Sequence, residues 1–326
     1  MSLRPTRDGW LMPSTATGKA EAAVRIGTES VHHAWDNTLP PVIEIEPGQR
    51  VELDLLNSSG GQLGPDSTVA DVAALDFTRV NPVTGPIAVR GALPGDAVTV
   101  RVLELDVDSW GWTACIPGFG LLADEFPDAH LAVSTIADGV IALPFGPALP
   151  AVPMIGTLGL ALPEPGAHSL VPPSRHGGNL DIRHLTAGAT ITLPVGVAGA
   201  LLSAGDAHAA MGDGEVCGTG IETSARTVLE IGLLPGAAPS FPVLQTAPAA
   251  NRDGGALATT GVGPDLMTAA KDATKSMIDE IVRRTGLAPI EAYLLASTAA
   301  DLKISELVDQ PNWVVSMHLP LSLLRD

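Results

Sequence analysis

The densest run of side chains able to do chemistry lies between Gly205 and Glu222. Asp206 and His208 are two residues apart, so on an extended chain they point the same way. A carboxylate and an imidazole on one face can ligate a divalent metal. Glu215 and Glu222 follow and bracket a strand-like run, where either could carry a proton. Plainer readings exist: Asp213-Gly214 is a good hairpin turn, and a lone histidine in a strand is usually structural.

Three further clusters could join it. Residues 172–184 contain Gly177-Gly178-Asn179-Leu180-Asp181. Paired glycines let a backbone approach a ligand closely, and Asn179 and Asp181 alternate to one side, although a polar loop entering a strand reads the same. His32-His33 precedes Asp36 and suggests a ligand shell, in which adjacent strand residues point apart and only one of the pair faces a given site. Gly60-Gly61-Gln62 is a glycine turn carrying one amide.

Other chemistries lack their templates. There is no Gly-x-Ser-x-Gly elbow, no Walker loop and no His-Glu-x-x-His helix. Cys217, between Val216 and Gly218, reads as a small buried residue rather than a nucleophile. With Cys115 it completes a count of two, which is neither a disulfide framework nor a cysteine-rich zinc module and points to a reducing cytoplasm.

The elements that must position these clusters fall into two parts. Up to about residue 246, short strands are separated by Gly, Pro and Asp. Three stretches share a glycine turn followed by apolar/polar alternation: Glu46 to Leu55, Leu93 to Val102 and Thr186 to Leu193. The third copy resembles the first in the glycine-rich stretch after its strand, a weak sign of internal duplication. The uncharged run Ile141 to Pro163 is punctuated by prolines and glycines and reads as a buried loop, able to wall a pocket or a subunit contact. Residues 247–264 are small and read as a linker or a loop between layers. Beyond it the period changes: a helix of about 18 residues runs from Asp265 to Gly286, a second starts at Pro289, and Leu302 to Ile304 and Val314-Val315 look like strands.

The expected architecture is therefore α+β and β-rich: a sandwich- or barrel-like catalytic domain over 1–246, the connection 247–264, and a small helix-led unit over 265–326 packed on it. The chain has 326 residues, 18 Lys+Arg and 36 Asp+Glu, a net charge of −18 that disfavours nucleic acid and anionic membrane surfaces. Its 35 Gly and 28 Pro make up about a fifth of it, below the range of low-complexity chains. The N-terminus has no apolar signal core and no run suits a membrane-spanning helix.

Taken together, the clusters resemble a known family. Gly205-Asp206-x-His208 followed by Gly212-Asp213-Gly214-Glu215, Cys217-Gly218 and Ile221-Glu222 looks like the signature of the acetamidase/formamidase family. So do Asn81-Pro82-Val83-Thr84-Gly85-Pro86-Ile87, Gly91-Ala92-x-Pro94-Gly95-Asp96, Gly60-Gly61-Gln62, Pro117-Gly118-Phe119-Gly120 and Gly177-Gly178-Asn179-x-Asp181. The helical tail, with Ala292-Tyr293 and Asp301-Leu302-x-Ile304-Ser305, is similar to that of the short bacterial acetamidase branch. The match runs from about residue 40 onward. His32-His33 is less typical of that branch.

The resemblance implies a cytoplasmic, homo-oligomeric enzyme, a dimer or tetramer, that hydrolyses short aliphatic amides to a carboxylate and ammonia. An unactivated amide needs a strong nucleophile, oxyanion stabilisation and a proton for the departing amine. A bound divalent metal, Zn²⁺ first and Ca²⁺ as the alternative for a carboxylate-rich set, would meet the first two needs. Asp206, His208, Asp181 and His33 are the expected ligands and Glu215 or Glu222 the proton shuttle. Gln62, Asn179 and the Gly177-Gly178 amides are expected to orient the substrate. Small residues around Ala207, Ala209 and Ala210 would suit a small acyl group. Two rivals stay open: a non-metal amidase using Cys217, and a non-catalytic β-rich binding protein that keeps a metal for stability.

Overall fold

The structure, a computed structural model, describes residues 23–146, 148–248 and 255–324. The sequence readings made on the N-terminal segment, and on 249–254 of the expected connection, lie outside the described residues. Among these residues the strands form two large open sheets.

The first has nine strands in the order Val24–Ile26, Arg50–Leu55, Ala225–Leu234, Ala97–Val107, Thr190–Pro194, Val243–Gln245, Ala256–Gly263, Trp313–Pro320 and Asp301–Glu306. All three turn-and-alternation stretches fall in it. Their pattern does what period-two alternation requires: Val51, Leu53 and Leu55 are buried between half-exposed neighbours, and Val98, Val100 and Val102 are fully buried. Except for the parallel pair of Val24–Ile26 with Arg50–Leu55, neighbouring strands run antiparallel.

The second sheet has eleven strands. Its main path runs Ala148–Pro150, Val140–Ala142, His130–Ala137, Trp110–Cys115, Glu222–Thr223, Leu202–His208, Met154–Leu160 and Gly177–Asn179. Val83–Val89 also pairs with Leu202–His208 and carries Val31–His32 and Ile43–Ile45. The sheets pack face to face: one apolar core takes Val51, Val100 and Leu229 from the first and Ile155, Leu158 and Ala207 from the second.

Two expectations are corrected. The run read as a proline-punctuated loop contains Met154–Leu160, a strand buried along its whole length beside Leu202–His208. With both faces covered it has no alternation, and a continuous apolar run gives no period to read. The connection 247–264 is likewise a strand from Ala256 to Gly263, central in the nine-stranded sheet between Val243–Gln245 and Trp313–Pro320. Its small residues serve close packing, since a Cβ on Gly261 would fall 2.0 Å from the Ala269 carbonyl oxygen of the covering helix. The sheet thus runs through the boundary that composition suggested.

That helix is Leu266–Thr285, capped by the Asp265 side chain, which accepts from Thr268 N at 2.7 Å, and ended by left-handed Gly286. It buries Ala269, Ala273, Met277 and Ile281 on the outer sheet face. A second helix, Pro289–Ala299, packs beside it. Among the described residues no helix is long and apolar enough to cross a membrane.

Candidate active site

His208 ends the buried strand Leu202–His208, and its Nε2 is ringed by carboxylates. Asp206 Oδ1 and Glu222 Oε1 lie at 3.2 Å, Glu215 Oε1 at 3.9 Å and Asp181 Oδ1 at 4.0 Å. All five side chains are buried. They arrive from four pieces of chain. Asp206 shares the strand of His208. Glu222 opens the neighbouring strand, paired directly with His208. Asp181 follows Gly177–Asn179, with Leu180 N bonded to Gly156 O at 3.1 Å. Glu215 sits in a loop pinned on two sides: Gly214 N donates to Ser305 O and Leu121 N to Val216 O, both at 2.9 Å.

Three of these acids are held in the left-handed region, Asp181 at φ 43°, Asp206 at 53° and Glu215 at 45°. Such positions cost on the order of 1–3 kcal/mol each and gather at functional sites. Gly156 leaves the space the acids face: a Cβ there would fall 2.4 Å from Asp181 Oδ1 and 2.6 Å from Asp206 Oδ2.

So many acids cannot all ionise in a buried pocket without compensation. Burial, then the Asp206 charge, pushes Asp181 well above the usual carboxylate range. Burial, then Asp181, does the same to Glu215. Glu222 is raised by burial, against the pull of His208. Burial would raise Asp206 too, but the adjacent imidazole holds it low. Burial opposes protonation of His208, yet Glu222 and Asp206 keep it well above the ordinary imidazole value. Among the described residues, both Asp181 oxygens and His208 Nδ1 have no hydrogen-bond partner. Orphaned carboxylate oxygens, a neighbouring imidazole and a cleared space are what a divalent cation requires. Two overlapping sets have ligand atoms within 4.8 Å of one another: Asp181, His208 and Glu215, and Asp206, His208 and Glu222.

The cluster forms the floor of a cavity of about 200 Å³, to which Asp206, Glu215, Glu222, Asn179 and Asp309 all contribute. Asn179 is clamped: its Oδ1 accepts from Thr157 Oγ1, and its Nδ2 donates to Asp309 Oδ2 at 2.5 Å. Glu222 is oriented by Ser58 Oγ at 2.6 Å and Gly220 N at 2.7 Å.

The remaining predicted residues stand apart. His33 is exposed and belongs to neither ligand set. His32 turns inward instead, to Ser203 Oγ at 2.9 Å and Ala34 O at 2.8 Å. Gln62 spends its amide on a loop brace, with Nε2 donating to Ser59 O and Oε1 accepting from Asp76 N, both at 2.8 Å, and does not line the cavity. Gly177 and Gly178 are buried strand residues against Leu158 and Gly159 and are likewise off the cavity wall. Cys217 Sγ donates to Thr219 O at 3.5 Å, and Cys217 does not itself line the cavity. Ala207 and Ala209 are packed in the core, and Ala210 faces a different cavity.

Sequence reasoning missed Asp309, Glu306 and Ser58. Glu306 ends the strand Asp301–Glu306 and Asp309 lies in the turn after it, where Glu306 Oε1 accepts from Asp309 N at 2.6 Å and from Val308 N. Two acids bracketing Leu307-Val308 between strands were the available signal. Ser58, one residue before the Ser59-Gly60-Gly61 turn, carried none.

The fold agrees with what comparison finds. A sequence model described as the acetamidase/formamidase family matches residues 20–168 and 161–325. The chain belongs to this family. A formamidase of Methylophilus methylotrophus is 26% identical, with 90% of this chain and 89% of that protein aligned. An acetamidase of Mycolicibacterium smegmatis is 30% identical over 65% of this chain and 68% of its own length. The crystal structure of an acetamidase from Bacillus halodurans superposes with a TM-score of 0.84 at 31% identity, covering 92% of this chain and 98% of that one.

Proposed function

We propose that this protein hydrolyses the C–N bond of linear carboxamides, releasing a carboxylate and ammonia, with a divalent metal, Zn²⁺ first, held by the His208 cluster. Family membership makes it an amidohydrolase. The observation that carries the site is the convergence of four buried carboxylates on His208 Nε2 at the floor of a cavity.

Asp181, Asp206 and His208 are the holding residues: both Asp181 oxygens are orphaned, Asp181 and Asp206 face the space above Gly156, and His208 Nε2 lies within 4.0 Å of each. When bound, the cation supplies Lewis acidity toward the amide carbonyl and makes a strong nucleophile available at neutral pH. Among the site acids, Glu222 already has both oxygens engaged, by Ser58 and by Gly220 and His208. Glu215 faces the cavity with no side-chain hydrogen bond and a carboxyl raised by burial toward the range of a general acid–base group. It therefore takes a proton from the attacking water and delivers it to the departing nitrogen, as the C–O bond forms and the C–N bond breaks. Asn179, fixed by Thr157 and Asp309, orients the substrate amide.

A homodimer or homotetramer in the cytoplasm remains the proposed setting, supported by the exposed apolar side chains Leu121, Leu122 and Phe126 and by two free cysteines. The deciding experiment is ammonia release from formamide, acetamide and a small lactam, with and without chelator. Release lost on chelation and restored by Zn²⁺ is the expected result. Release that survives complete metal removal would overturn the metal and return attention to Cys217. No release from any amide would favour a metal-stabilised binding protein.

A further inference from the structure

We propose that the amide this enzyme is built for carries a bulky apolar acyl group, an arylacetamide or a longer alkanamide, rather than formamide or acetamide. The inference rests on the amidase reading above and names its substrate class.

The chain is poor in aromatics, with five Phe, five Trp and one Tyr in 326 residues. Three of them, Phe77, Trp112 and Phe119, line the cavity over the acid cluster, joined by Leu75, Val80 and Ile116. The cavity is therefore divided. Its floor is carboxylate and amide, and its wall is apolar, as a small-molecule site with one polar end requires. An amide with its carbonyl and nitrogen over Asp206 and Glu215 has its acyl chain against that wall.

The wall is built rather than incidental. Trp112 is buried, and its Nε1–H is directed to Asn57 Oδ1 at 3.4 Å, which leaves the indole as apolar surface. Phe119 is seated on Gly218, where a Cβ would fall 2.4 Å from the ring Cδ1. Gly218 belongs to the same tight turn as Glu215, its N donating to Glu215 O at 2.7 Å, so the aromatic wall and the proton carrier share one loop. Phe77 stands at the rim, 52% exposed, an apolar side chain without a protein partner large enough to cover it. The cavity's volume of about 200 Å³ exceeds by several-fold the roughly 30 Å³ that one water occupies in the liquid. Formamide has no acyl carbon to place there, and acetamide offers a single methyl.

The test is kcat/KM for ammonia release by the metal-loaded enzyme across formamide, acetamide, propionamide, hexanamide and phenylacetamide. Burial of each added methylene predicts a gain of about fourfold, so hexanamide and phenylacetamide should exceed acetamide by at least about tenfold. Phe119→Ala should cut the phenylacetamide-to-acetamide ratio by about tenfold, with Phe119→Leu intermediate. Equal or better turnover of acetamide or formamide in the wild type overturns the inference and leaves the amidase standing. Failure to hydrolyse any amide in the series removes the amidase reading and this inference with it. The wild-type series decides even where Phe119→Ala does not fold.

Discussion

The two sheets of this protein divide stability from chemistry. Along the strands Val24–Ile26, Arg50–Leu55 and Ala225–Leu234 of the nine-stranded sheet, charges stay at the surface: Arg25 and Arg226 pair with Glu52 and Asp54 on exposed or half-exposed stems, contacts worth at most about 1 kcal/mol each. In the three turn-and-alternation strands the inward side chains are Val, Leu and Ile in regular alternation. In the eleven-stranded sheet and its loops, carboxylates are buried around one imidazole, three of them at positive φ, and two of their oxygens have no partner. A region can be that unfavourable in isolation only if the other sheet and its helices hold the fold in place. The comparison teaches where sequence patterning can be trusted: it reports the sheet that obeys local rules and says least about the one that breaks them.

The comparison breaks most sharply on one substitution in each sheet. His208→Ala removes the group shared by both ligand sets and should lower kcat/KM for amide hydrolysis by about 10³-fold or more, together with bound metal measured by elemental analysis. Leu229→Ala, fully buried opposite Val51 and Val102, should cost about 2–5 kcal/mol in urea unfolding while kcat/KM per folded molecule is retained. Full metal content and activity in the His208 variant would end the division of labour between the sheets.

Asp309 sharpens it, because it lies outside both. The turn that delivers it follows the outermost strand of the nine-stranded sheet, so the helix-led unit reaches across to complete the site. Asp309→Asn should lower kcat/KM by about 10- to 100-fold, as expected for a residue that orients a group in the site, with the unfolding midpoint little changed. A rate within twofold of wild type would make the contact with Asn179 purely structural.

Legibility follows the same line. The three turn-and-alternation strands and the helix from Asp265 to Gly286 were readable because a half-buried strand and an amphipathic helix each impose a period. Asp206, His208, Asp181, Glu215 and Glu222, which the sequence marks as Gly-flanked polar groups, are brought within 4.0 Å of one imidazole nitrogen. Gln62, after Gly60-Gly61, and His33, beside His32, did not join the convergence, since spacing along the chain does not say where a loop folds back. Met154–Leu160 and Ala256–Gly263 had no period because both faces are covered, and Asp309 had no motif because its partner Asn179 is 130 residues away.

The smallest effect concerns protons. Without metal, the native state keeps Asp181, Glu215 and Asp309 protonated above the usual carboxylate range, chiefly through burial, and holds Glu306 up to about 7 for the same reason. The unfolded chain releases those protons near pH 4 to 4.5, about the ordinary values. Between about pH 4.5 and 7 these carboxyls bind more protons in the native state than in the unfolded one, so their contribution to stability falls as pH rises, against the opposite contribution of His32, His176, His184 and His318, whose imidazoles burial holds lower. His208, raised in the native state, acts with the sign of the carboxyls: its contribution is complete below about 6.5 and lost as pH climbs through its native value. Asp206, lowered, runs the other way, but only below about 3.8. Each raised group adds a slope of about 1.4 kcal/mol per pH unit across its own window. Urea unfolding at pH 5, 6 and 7 in chelator should decline with pH relative to the metal-loaded protein, and Glu306→Gln should remove about one such share of the fall. A bound divalent cation takes the place of the cluster's protons, so the metal-loaded protein should lose most of the slope while Glu306, outside both ligand sets, keeps its own. Metal-free and metal-loaded profiles of equal slope would mean that the second sheet is not overcharged, and the contrast with the first would rest on shape alone.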